Sequence, residues 1–462
     1  MNLHHMLRAR AERDGPVRIA LLGAGRFGTM YLAQARQTPG IHVAGIVDLD
    51  AGRARAACRR VEWPEEQLGA TSPADAMTTG RTWIGEDAAA LIATEGVEIV
   101  VEATGDPLAG ISHAQLAIAH GHHVIMVTVE ADVLVGPLLA REAERAGLVY
   151  SLAYGDQPAL IVEQVDWART CGFKVVSAGK GTRYLPSFHA STPETVWEHY
   201  DITPELAARG GMNPKIYNSF IDGTKSSIEM SAVCNATGLR AQPDGLAFPP
   251  AACEQLAEIC KPRSAGGTLA DEGVTEVVSS LRRDGSPITN NLRMGTYVVV
   301  EAGSEYVRNC IEERNFLPDS SFRYSALYRP THLIGFELGI SIASVALRRE
   351  PTGAPRQFVA DVVAIAKRDL APGEVLDGEG GYCVWGKQMP ADRSLALGAL
   401  PLGFASNLEL KTAKMAGEPL TWQDVEIDEQ ASSVRTRRTM EELFSPQAGV
   451  GPLGRTEIRR RF

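Results

Sequence analysis

The sequence predicts an α/β protein that has a parallel sheet, a mixed α+β middle unit and a small β-rich unit near its C-terminal end. Over the first 155 residues, continuous apolar strand patterns alternate with helix patterns, which is typical of a parallel sheet with helices on both faces. Hydrophobic residues make up 44% of the chain and aromatic residues only 6%, as expected where small residues pack helices against sheets. The last third changes to short strand patterns separated by Gly and Pro.

The elements of the N-terminal pattern follow from their residues. The apolar run 17–22 predicts a first buried strand, and 41–50 predicts a second strand that ends in acidic residues. Further patterns predict strands at 97–105, 123–129 and 148–154 and helices at 51–60 and 136–147. Later patterns predict helices near 225–237 and 333–347, a strand near 295–302, and a strand, turn and strand over 362–376.

Composition excludes several classes of protein. With 46 Lys and Arg against 56 Asp and Glu, the net charge is −10, which argues against a protein whose main task is to grip nucleic acid. No run of 18 apolar residues occurs and the N-terminus lacks an apolar leader core, so we expect a cytoplasmic protein without a membrane span. Seven scattered cysteines without a C-x-x-C pair argue against a disulfide framework and a structural zinc site.

A glycine motif follows the first predicted strand and opens a helix. Gly23, Gly25 and Gly28 fit G-x-G-x-x-G, and Asp48 ends the second strand 20 residues after Gly28. This is the context of a Rossmann-type dinucleotide site, in which the loop approaches the pyrophosphate and the acid accepts a hydrogen bond from a ribose hydroxyl. The alternative is a glycine-rich turn without a ligand.

The residues around the motif leave the type of cofactor open. Asp48 favours NAD(H), because a carboxylate repels a 2′-phosphate. Arg26 in the loop and Arg53 and Arg55 beyond the second strand could instead bind that phosphate of NADP(H). We expect Arg26 and its neighbour Phe27 to line the cofactor.

Two further loops follow strands of the same predicted sheet. Thr104 and Gly105 come after the strand at 97–103, and Glu130 follows the next strand. Ligands bind at the carboxyl ends of strands in such folds, so these residues are predicted to contact the cofactor, with Glu130 near the nicotinamide. The alternative role of Glu130 is that of an acidic residue at a helix N-terminus.

The middle unit contains a run of glycines and cations. Lys180 and Arg183 lie in G-K-G-T-R-Y, directly after a predicted strand. Glycines keep the backbone open to a ligand, and the two cations would bind an anionic one. The alternative is a solvated turn with surface charges.

Three ionisable residues begin the helix predicted near 225–237. Asp222 is placed to cap it, and Lys225 and Glu229 are i, i+4 neighbours. In a partly buried site Lys225 would protonate a developing alkoxide, while Glu229 or Asp222 would orient it or hold a metal. The alternative is a helix salt bridge.

Carboxylates also raise the question of a metal. Asp156 ends a strand at the junction of two units, where it would bind substrate hydroxyls or a metal, or cap a turn. Glu130, Asp156 and Glu229 together could hold Mg2+ or Mn2+, but no spacing identifies the ligands, so the metal stays unknown. His189 is interpreted as an ordinary loop histidine.

Several stretches resemble a known group of enzymes. The N-terminal unit resembles the nucleotide-binding domain of homoserine dehydrogenases, and K-R-D-L-A-P-G-E-V-L in the C-terminal unit resembles the SAF domain. The whole chain resembles the homoserine-dehydrogenase-like group that includes the 1-deoxy-D-xylulose 5-phosphate reductoisomerase-like enzymes. The matching stretches are T-V-E-A-D-V-L-V-G-P, Y-G-D-Q-P, A-G-K-G-T-R-Y-L-P and N-S-F-I-D-G-T-K-S-S-I-E-M.

The chain departs from homoserine dehydrogenases at two places. Ala131 stands where their T-A-N-K stretch has Lys, and Lys225 and Glu229 stand in swapped order relative to the acid and Lys of that family. The resemblance therefore implies another activity than homoserine oxidation. The reductoisomerase-like members rearrange a phosphorylated ketose and reduce the resulting aldehyde with NADPH, normally with a divalent metal.

Together these observations predict an NAD(P)H-dependent oxidoreductase of a small phosphorylated or polyhydroxylated substrate. The leading specific activity is conversion of 1-deoxy-D-xylulose 5-phosphate to 2-C-methyl-D-erythritol 4-phosphate, in isoprenoid precursor synthesis. The alternatives are a catabolic dehydrogenase of another small sugar acid or polyol phosphate, and a non-catalytic NAD(P)-sensing regulator. Lys225 or Lys180 would supply the proton, with Asp156, Asp222 and Glu229 as further catalytic groups. The predicted phosphate ligands are Arg183, Ser187, Asn218 and Ser219.

The predicted organisation has four segments. Residues 1–155 bind the dinucleotide, 156–355 bind substrate and form the oligomer contact, 356–445 form the SAF-like unit and 446–462 form a basic tail. We expect a homo-oligomer, a dimer, with neither nucleic-acid nor membrane partners.

Overall fold

The computed structural model describes residues 2–209 and 212–444. The tail predicted at 446–462 lies outside the described residues. Three sets of strands divide the chain into an N-terminal sheet, a middle sheet and a C-terminal group of short strands. The predicted α/β fold with a Rossmann-type parallel sheet is confirmed.

The N-terminal sheet has six parallel strands in the order β3-β2-β1-β4-β5-β6. These strands are β1 (Val17–Leu22), β2 (Ile41–Val47), β3 (Trp83–Gly85), β4 (Ile99–Glu102), β5 (His123–Met126) and β6 (Tyr150–Leu152). The central strands are mainly apolar and, apart from Arg18, buried on both faces, because helices cover both sides of the sheet. The strand order reverses between β1 and β4, which is where such folds open a ligand crevice.

Seven helices accompany this sheet. They are α1 (Leu3–Asp14), α2 (Arg26–Ala35), α3 (Ala51–Arg60), α4 (Pro73–Thr79), α5 (Ala88–Ile92), α6 (Pro107–Ala119) and α7 (Val129–Arg145). Helix α7 begins seven residues before the predicted 136–147 helix, so Glu130 lies in its first turn rather than in a loop.

The middle unit is built on a mixed four-stranded sheet in the order β10-β9-β7-β8. Its strands are β7 (Lys174–Thr182), β8 (Val274–Ser279), β9 (Thr296–Glu301) and β10 (Tyr324–Arg329). Its helices are α8 (Gln157–Thr170), α9 (Val196–Tyr200), α10 (Pro204–Arg209), α11 (Pro214–Ile221), α12 (Thr224–Thr237), α13 (Leu256–Ile259), α14 (Glu305–Arg314) and α15 (Gly339–Arg348). Helix α15 packs back onto the N-terminal unit, where Leu338, Ile342 and Val345 join the core around Ile19 and Val101.

The C-terminal unit consists of short antiparallel pairs, in which β11 (Ala360–Ala366) pairs with β13 (Val384–Pro390) and β12 (Val375–Asp377) pairs with β14 (Ser406–Glu409). Helices α16 (Ala391–Leu397) and α17 (Ser432–Phe444) complete it. The β-rich character is as predicted, whereas the SAF identity stays a prediction.

Helix α12 joins the three units. It contacts α7 of the N-terminal unit, α8 of the middle unit and β13 of the C-terminal unit, and its residues 226–235 are all buried. Leu134, Ile228 and Leu402, one from each unit, share a single hydrophobic cluster. The side chains at the start of α12 therefore lie at a three-way junction.

Helix α17 is fixed by one buried cation. Arg437 is 0% exposed and donates to both carboxylate oxygens of Asp361, at 3.2 and 2.6 Å, and to the carbonyl oxygen of Leu134 at 3.0 Å. Its Nε also donates to Glu441 at 2.8 Å. Because Leu134 lies in α7, the last described helix is tied to the helix that begins beside Glu130.

Within residues 2–209 and 212–444, no helix is both long enough and apolar enough to cross a membrane.

Candidate active site

The glycine loop has the shape that a dinucleotide requires. A Cβ on Gly23 would lie 2.4 Å from the carbonyl oxygen of Ala103, and one on Gly28 would lie 2.3 Å from the carbonyl oxygen of Gly23. These two glycines are thus required by close packing of strand, loop and helix. A Cβ on Gly25 would meet no atom within 4 Å. Open space at Gly25, the N-cap of α2, fits a pyrophosphate held by the helix N-terminus.

Asp48 lies against this loop, as predicted for a ribose-binding acid. Its Oδ2 accepts a hydrogen bond from the N–H of Ala24 at 3.0 Å, and its Oδ1 lies 3.8 Å from the guanidinium of Arg53. Arg53 is the cation placed to meet a 2′-phosphate, since Arg55 is turned toward the carbonyl oxygen of Leu68. An acid and an arginine at the same edge leave both NAD(H) and NADP(H) possible.

Arg26 and Phe27 differ in what they contact. Arg26 is exposed and donates a hydrogen bond to the hydroxyl of Tyr217 in the middle unit at 2.9 Å. Phe27 is half-buried and packs on the core of the N-terminal unit. Arg26 therefore lies between the glycine loop and the middle unit, while Phe27 stabilises the start of α2.

Thr104 and Gly105 close the next loop of the sheet edge. Thr104 Oγ1 donates to Glu102 Oε1 at 2.5 Å, and the N–H of Gly105 donates to Thr128 Oγ1 at 3.0 Å. The ends of β4 and β5 are thereby linked, and Gly105 lines a cavity that also contains Glu130. The cavity lies at the carboxyl edge of the sheet, where the ligand was expected.

Two lysine–carboxylate pairs meet beside this cavity. Lys225 Nζ lies 2.5 Å from Glu130 Oε1, with side chains 17% and 13% exposed. Lys180 Nζ pairs with Glu229 Oε2, and these side chains are 8% and 5% exposed. The alternative of a simple i, i+4 salt bridge between Lys225 and Glu229 is not what the structure shows, because each residue pairs with a partner on another element.

Lysine ionisation in this cluster is governed by opposing effects. Burial alone would lower the pKa of Lys225. The carboxylates of Glu130, Glu379, Glu229 and Asp156 outweigh burial and raise that pKa above its usual value. Lys225 is therefore a cation held by surrounding acids, and a proton that it donates has to be replaced from them.

Asp156 is the N-cap of α8, as one of the predicted alternatives stated. Its Oδ1 accepts from the N–H of Gln157 at 2.9 Å. Burial and the neighbouring Glu229 raise the pKa of Asp156 to about 6, against the opposing effect of Lys225. It is therefore both a cap and a titrating member of the cluster.

Two placements differ from the sequence interpretation. Lys180 lies within β7, not in a turn after it, because the run of glycines packs tightly against neighbouring strands. Asp222 is the C-cap of α11, and Gly223 is the N-cap of α12. The Asp222 carboxylate still accepts from the N–H of Thr224, at 2.9 Å, but its ionic partner is Lys367, 2.8 Å away and also buried.

The predicted phosphate ligands lie in different surroundings. Ser187 is exposed, Ser219 Oγ donates to the carbonyl oxygen of Ile216, and Asn218 donates both to Ser191 and to Gly380. Arg183 lies 3.4 Å from Asp201, and among the described residues its buried Nε has no hydrogen-bond partner. Arg183 and the exposed Ser187 are the two of these four residues that keep a donor without a partner among the described residues.

Sequence reasoning missed Glu379 and Lys367 of the C-terminal unit. Glu379 lines the cavity of about 200 Å³ together with Glu130, Ile228 and Leu402. The only sequence signal was the flanking glycines in D-G-E-G-G, which mark a tight turn but not its destination. Contact between this turn and α12 depends on tertiary packing.

The candidate metal ligands can be checked within residues 2–209 and 212–444. Among the described side chains, no three His, Cys, Asp or Glu residues come together to hold a metal ion. The predicted set of Glu130, Asp156 and Glu229 is thus not assembled, because Lys225 and Lys180 occupy the positions between the acids.

His189, which the sequence analysis interpreted as an ordinary loop histidine, packs against an aromatic ring in the structure. Its ring stacks on Trp385 with centroids 3.9 Å apart, and its two nitrogens contact the hydroxyl of Tyr184 and the carbonyl oxygen of Asp222. Burial lowers the pKa of His189, which keeps the ring neutral.

Chemically, the cluster can hold and pass protons next to a cavity lined by both apolar and charged residues. Four carboxylates (Glu130, Asp156, Glu229 and Glu379) face two lysines (Lys180 and Lys225). The repulsion among these negative charges is reduced where burial keeps a proton on one of the carboxyl groups. Such a group can act as a general acid or base near neutral pH.

Comparison with known proteins supports an oxidoreductase. The sequence model of the family described as "Oxidoreductase DRL, catalytic domain" matches residues 155–338, 184 of the 462 residues. No curated protein matches the chain.

Solved structures resemble the chain only in part. An oxidoreductase from Agrobacterium radiobacter in complex with NAD+, L-tartaric acid and magnesium is 20% identical with a TM-score of 0.28, over 36% of this chain and 44% of that one. UDP-N-acetylglucosamine 3-dehydrogenase from Acidithiobacillus ferrooxidans is 14% identical with a TM-score of 0.37, over 73% and 91%. Myo-inositol dehydrogenase from Lactobacillus casei in complex with NAD(H) and myo-inositol is 14% identical with a TM-score of 0.27, over 40% and 52%. The chain thus spans less than half of the first of these structures.

The family match supports the oxidoreductase part of the predicted resemblance, whereas its homoserine-dehydrogenase, reductoisomerase and SAF parts stay predictions. Residues 155–338 resemble an oxidoreductase catalytic domain, and this stretch carries Asp156, Lys180, Lys225 and Glu229 of the cluster.

Proposed function

We propose that the chain is an NAD(P)-dependent oxidoreductase that interconverts an alcohol and a carbonyl group on a small polar substrate. The observation that carries this proposal is the position of the Lys225–Glu130 pair. The pair lies at the carboxyl edge of the six-stranded sheet, and its Glu130 lines the same cavity as Gly105. The glycine loop that fits a pyrophosphate lies at that same edge.

Residues at different positions in the site are assigned to different parts of the cofactor and substrate. Gly23, Gly25 and Gly28 would hold the pyrophosphate, and Asp48 and Arg53 would meet the adenosine ribose. When bound, the nicotinamide supplies a hydride acceptor or donor. Lys225 Nζ would hydrogen-bond to the substrate oxygen and stabilise the negative charge that develops there during reduction, and Glu130 would fix the orientation of that ammonium.

An anionic group on the substrate is supported by a second set of residues. Arg293 lies over the ring of Tyr200, 5.7 Å from its centroid, and Tyr200 lies beside Tyr217, which accepts a hydrogen bond from Arg26. Burial raises the pKa of Tyr200, while Arg293 and Arg183 oppose that rise. Three arginines near two tyrosines would attract a phosphate.

The more specific candidate is therefore the reductoisomerase-like reaction on 1-deoxy-D-xylulose 5-phosphate. It rests on the resemblance of the sequence to the reductoisomerase-like enzymes and on these arginines, whereas the family match over residues 155–338 supports an oxidoreductase in general. A dehydrogenase of another sugar acid or polyol phosphate uses the same residues and stays an alternative. Both the dimer and the cytoplasmic location remain predictions from the sequence.

The test is a substrate screen with purified protein. NADH and NADPH are titrated first, by quenching of tryptophan fluorescence. 1-Deoxy-D-xylulose 5-phosphate, other phosphosugars and unphosphorylated sugar acids and polyols are then followed by absorbance of the reduced nicotinamide, with and without Mn2+. We expect cofactor binding and turnover of at least one substrate. Cofactor binding without turnover of any of them would favour the regulator alternative, and absence of cofactor binding would overturn the proposal.

A further inference from the structure

The turn between β12 and β13 carries an acid from the C-terminal unit into the cavity beside Glu130 and Lys225. We propose that Glu379 is a further catalytic residue, whose carboxyl group exchanges a proton with the substrate in this cavity. The inference rests on the proposed function, because it assigns a role within the same site. The sequence alone indicated no role for Glu379 in the reaction.

The turn is held in one position by the middle unit. Lys215 Nζ donates to the carbonyl oxygen of Asp377 at 2.9 Å, and Asn218 Nδ2 donates to that of Gly380, also at 2.9 Å. A Cβ on Gly380 would lie 1.9 Å from the carbonyl oxygen of Lys215, so the backbone can approach α11 only as glycine. The turn on either side of Glu379 is therefore fixed against α11.

The C-terminal unit adds its own anchors to the same turn. Lys367 Nζ donates to the carbonyl oxygen of Gly381 at 2.8 Å, and the Asp377 carboxylate accepts from the N–H groups of Tyr382 and Cys383 at 2.6 and 3.0 Å. Rigid placement of a side chain is what a proton-transfer group requires. An acid with no function at the surface would not need these anchors.

The electrostatic surroundings give Glu379 a proton to exchange. Burial and the charge of Glu130 raise the pKa of Glu379 to about 8, although Lys225 opposes the rise. Near neutral pH this carboxyl group is therefore largely protonated, while one pH unit or more higher it is a base. A group that changes charge near the working pH is suited to general acid–base catalysis.

The proton balance is simple in both directions. When the substrate alcohol is oxidised, its O–H bond breaks and the proton passes to a carboxylate oxygen of Glu379. The electron pair of its C–H bond leaves as hydride to the nicotinamide dinucleotide of the proposed function. In reduction, the Glu379 carboxyl group returns its proton to the substrate oxygen, and Lys225 stabilises the negative charge on that oxygen.

The first experiment needs no substrate. Infrared difference spectra of the purified full chain are recorded from pH 6 to pH 10, for the wild type, Glu379→Gln and Glu409→Gln. Glu409 is an exposed acid on β14, which pairs with β12, and serves as the matched control. We expect the wild type and Glu409→Gln to lose a protonated-carboxyl component near pH 8, above the transition of Asp132 near pH 7, and we expect Glu379→Gln to lack the pH 8 component. The same band in all three proteins would overturn the inference.

The second experiment uses a substrate found in the screen. We expect Glu379→Gln to lower kcat by about 10²- to 10⁴-fold and to remove the limb of the pH profile near pH 8, while NAD(P)H binding is kept. Unchanged kcat and pH profile would overturn the inference with the proposed function intact. If Glu379→Gln does not fold, Glu379→Asp keeps the band but shortens the reach, and unchanged turnover in that variant would overturn it as well. If the wild type turns over no substrate, the proposed function fails separately.

Discussion

Lys225 and Glu130 form an ion pair across two units of the fold. Lys225 Nζ, on the first turn of α12, lies 2.5 Å from Glu130 Oε1, on the first turn of α7. Neither side chain is more than 17% exposed, so water screens the pair only weakly. The pair thereby places a cation of the middle unit at the carboxyl edge of the nucleotide-binding sheet.

Replacing Lys225 should separate chemistry from cofactor binding. Lys225→Met removes the cation that would stabilise negative charge on the substrate oxygen, and it leaves the surrounding carboxylates without their shared cation. We expect kcat to fall by about 10²- to 10⁴-fold, with the affinity for NAD(P)H changed little, because the glycine loop is untouched. Stopped-flow turnover and fluorescence titration measure the two effects. Lys411→Met, at an exposed lysine, is the control, and equal turnover in both variants would contradict the assignment.

Gly25 tests the cofactor site without disturbing the fold. Gly25→Ala adds a methyl group into open space, at a φ of −65° that any residue adopts. We expect thermal stability to be nearly unchanged and NAD(P)H affinity to fall by about tenfold or more, since one tenfold step corresponds to only about 1.4 kcal/mol. Gly303→Ala, also in open space but in the middle unit, should bind the cofactor normally. Unchanged NAD(P)H affinity in Gly25→Ala would show that the pyrophosphate does not bind at this loop.

Ionisation of Asp132 should make the free energy of unfolding depend on pH. It is 0% exposed and accepts a hydrogen bond from the hydroxyl of Tyr150 at 3.0 Å, and burial raises its pKa from 3.8 to about 7. Between these two values the folded chain binds more protons than the unfolded chain, so this group's contribution to stability falls as pH rises from about 4 to about 7.

Asp132→Asn removes that titration while keeping an acceptor for Tyr150. Urea unfolding at pH 5 and pH 8 should therefore show a smaller loss of stability on raising the pH in Asp132→Asn than in the wild type. Asp166→Asn, on the exposed face of α8, controls for loss of an ordinary carboxylate and should follow the wild type. Identical pH slopes in Asp132→Asn and the wild type would show that Asp132 ionises normally.

Removing the buried cation of Arg437 should lower the free energy of unfolding strongly. Arg437→Met leaves Asp361 buried without its cation, which costs about 3–5 kcal/mol of unfolding free energy when one partner of a buried pair is lost. Chemical denaturation measures the loss. Arg435→Met, exposed on the same helix, should change stability by less than about 0.5 kcal/mol. A similarly small loss in Arg437→Met would mean that α17 adds little to the fold.

Much of the fold could be predicted because its causes are local. The apolar run at 17–22 and the glycines after it determine a strand, a tight loop and a helix within one short stretch. The alternation over the first 155 residues then leaves few topologies, since parallel strands require crossover helices. The start of α7 was predicted seven residues too late, since the helix begins at Val129 and runs through Pro137.

The candidate site was predictable by residue type but not by partner. Lys180, Lys225 and Glu229 were singled out from their spacing, yet their ion pairs join strands and helices far apart in sequence. Glu379 lies about 150 residues beyond the others, and only packing of its turn on α11 brings it to them. Pairings of this kind depend on tertiary contacts that no local pattern encodes.

The attachment of α17 has a consequence for the order in which the protein matures. Leu134, whose carbonyl oxygen accepts from Arg437, lies one helical turn after Glu130. During synthesis the nucleotide-binding sheet can form as soon as its residues emerge, but this hydrogen bond and the Asp361 pair must wait until residue 437 has been added. A chain released early would therefore hold the glycine loop while lacking the Arg437 support for the helix that carries Glu130. The cofactor site would then be complete well before the site of proton transfer.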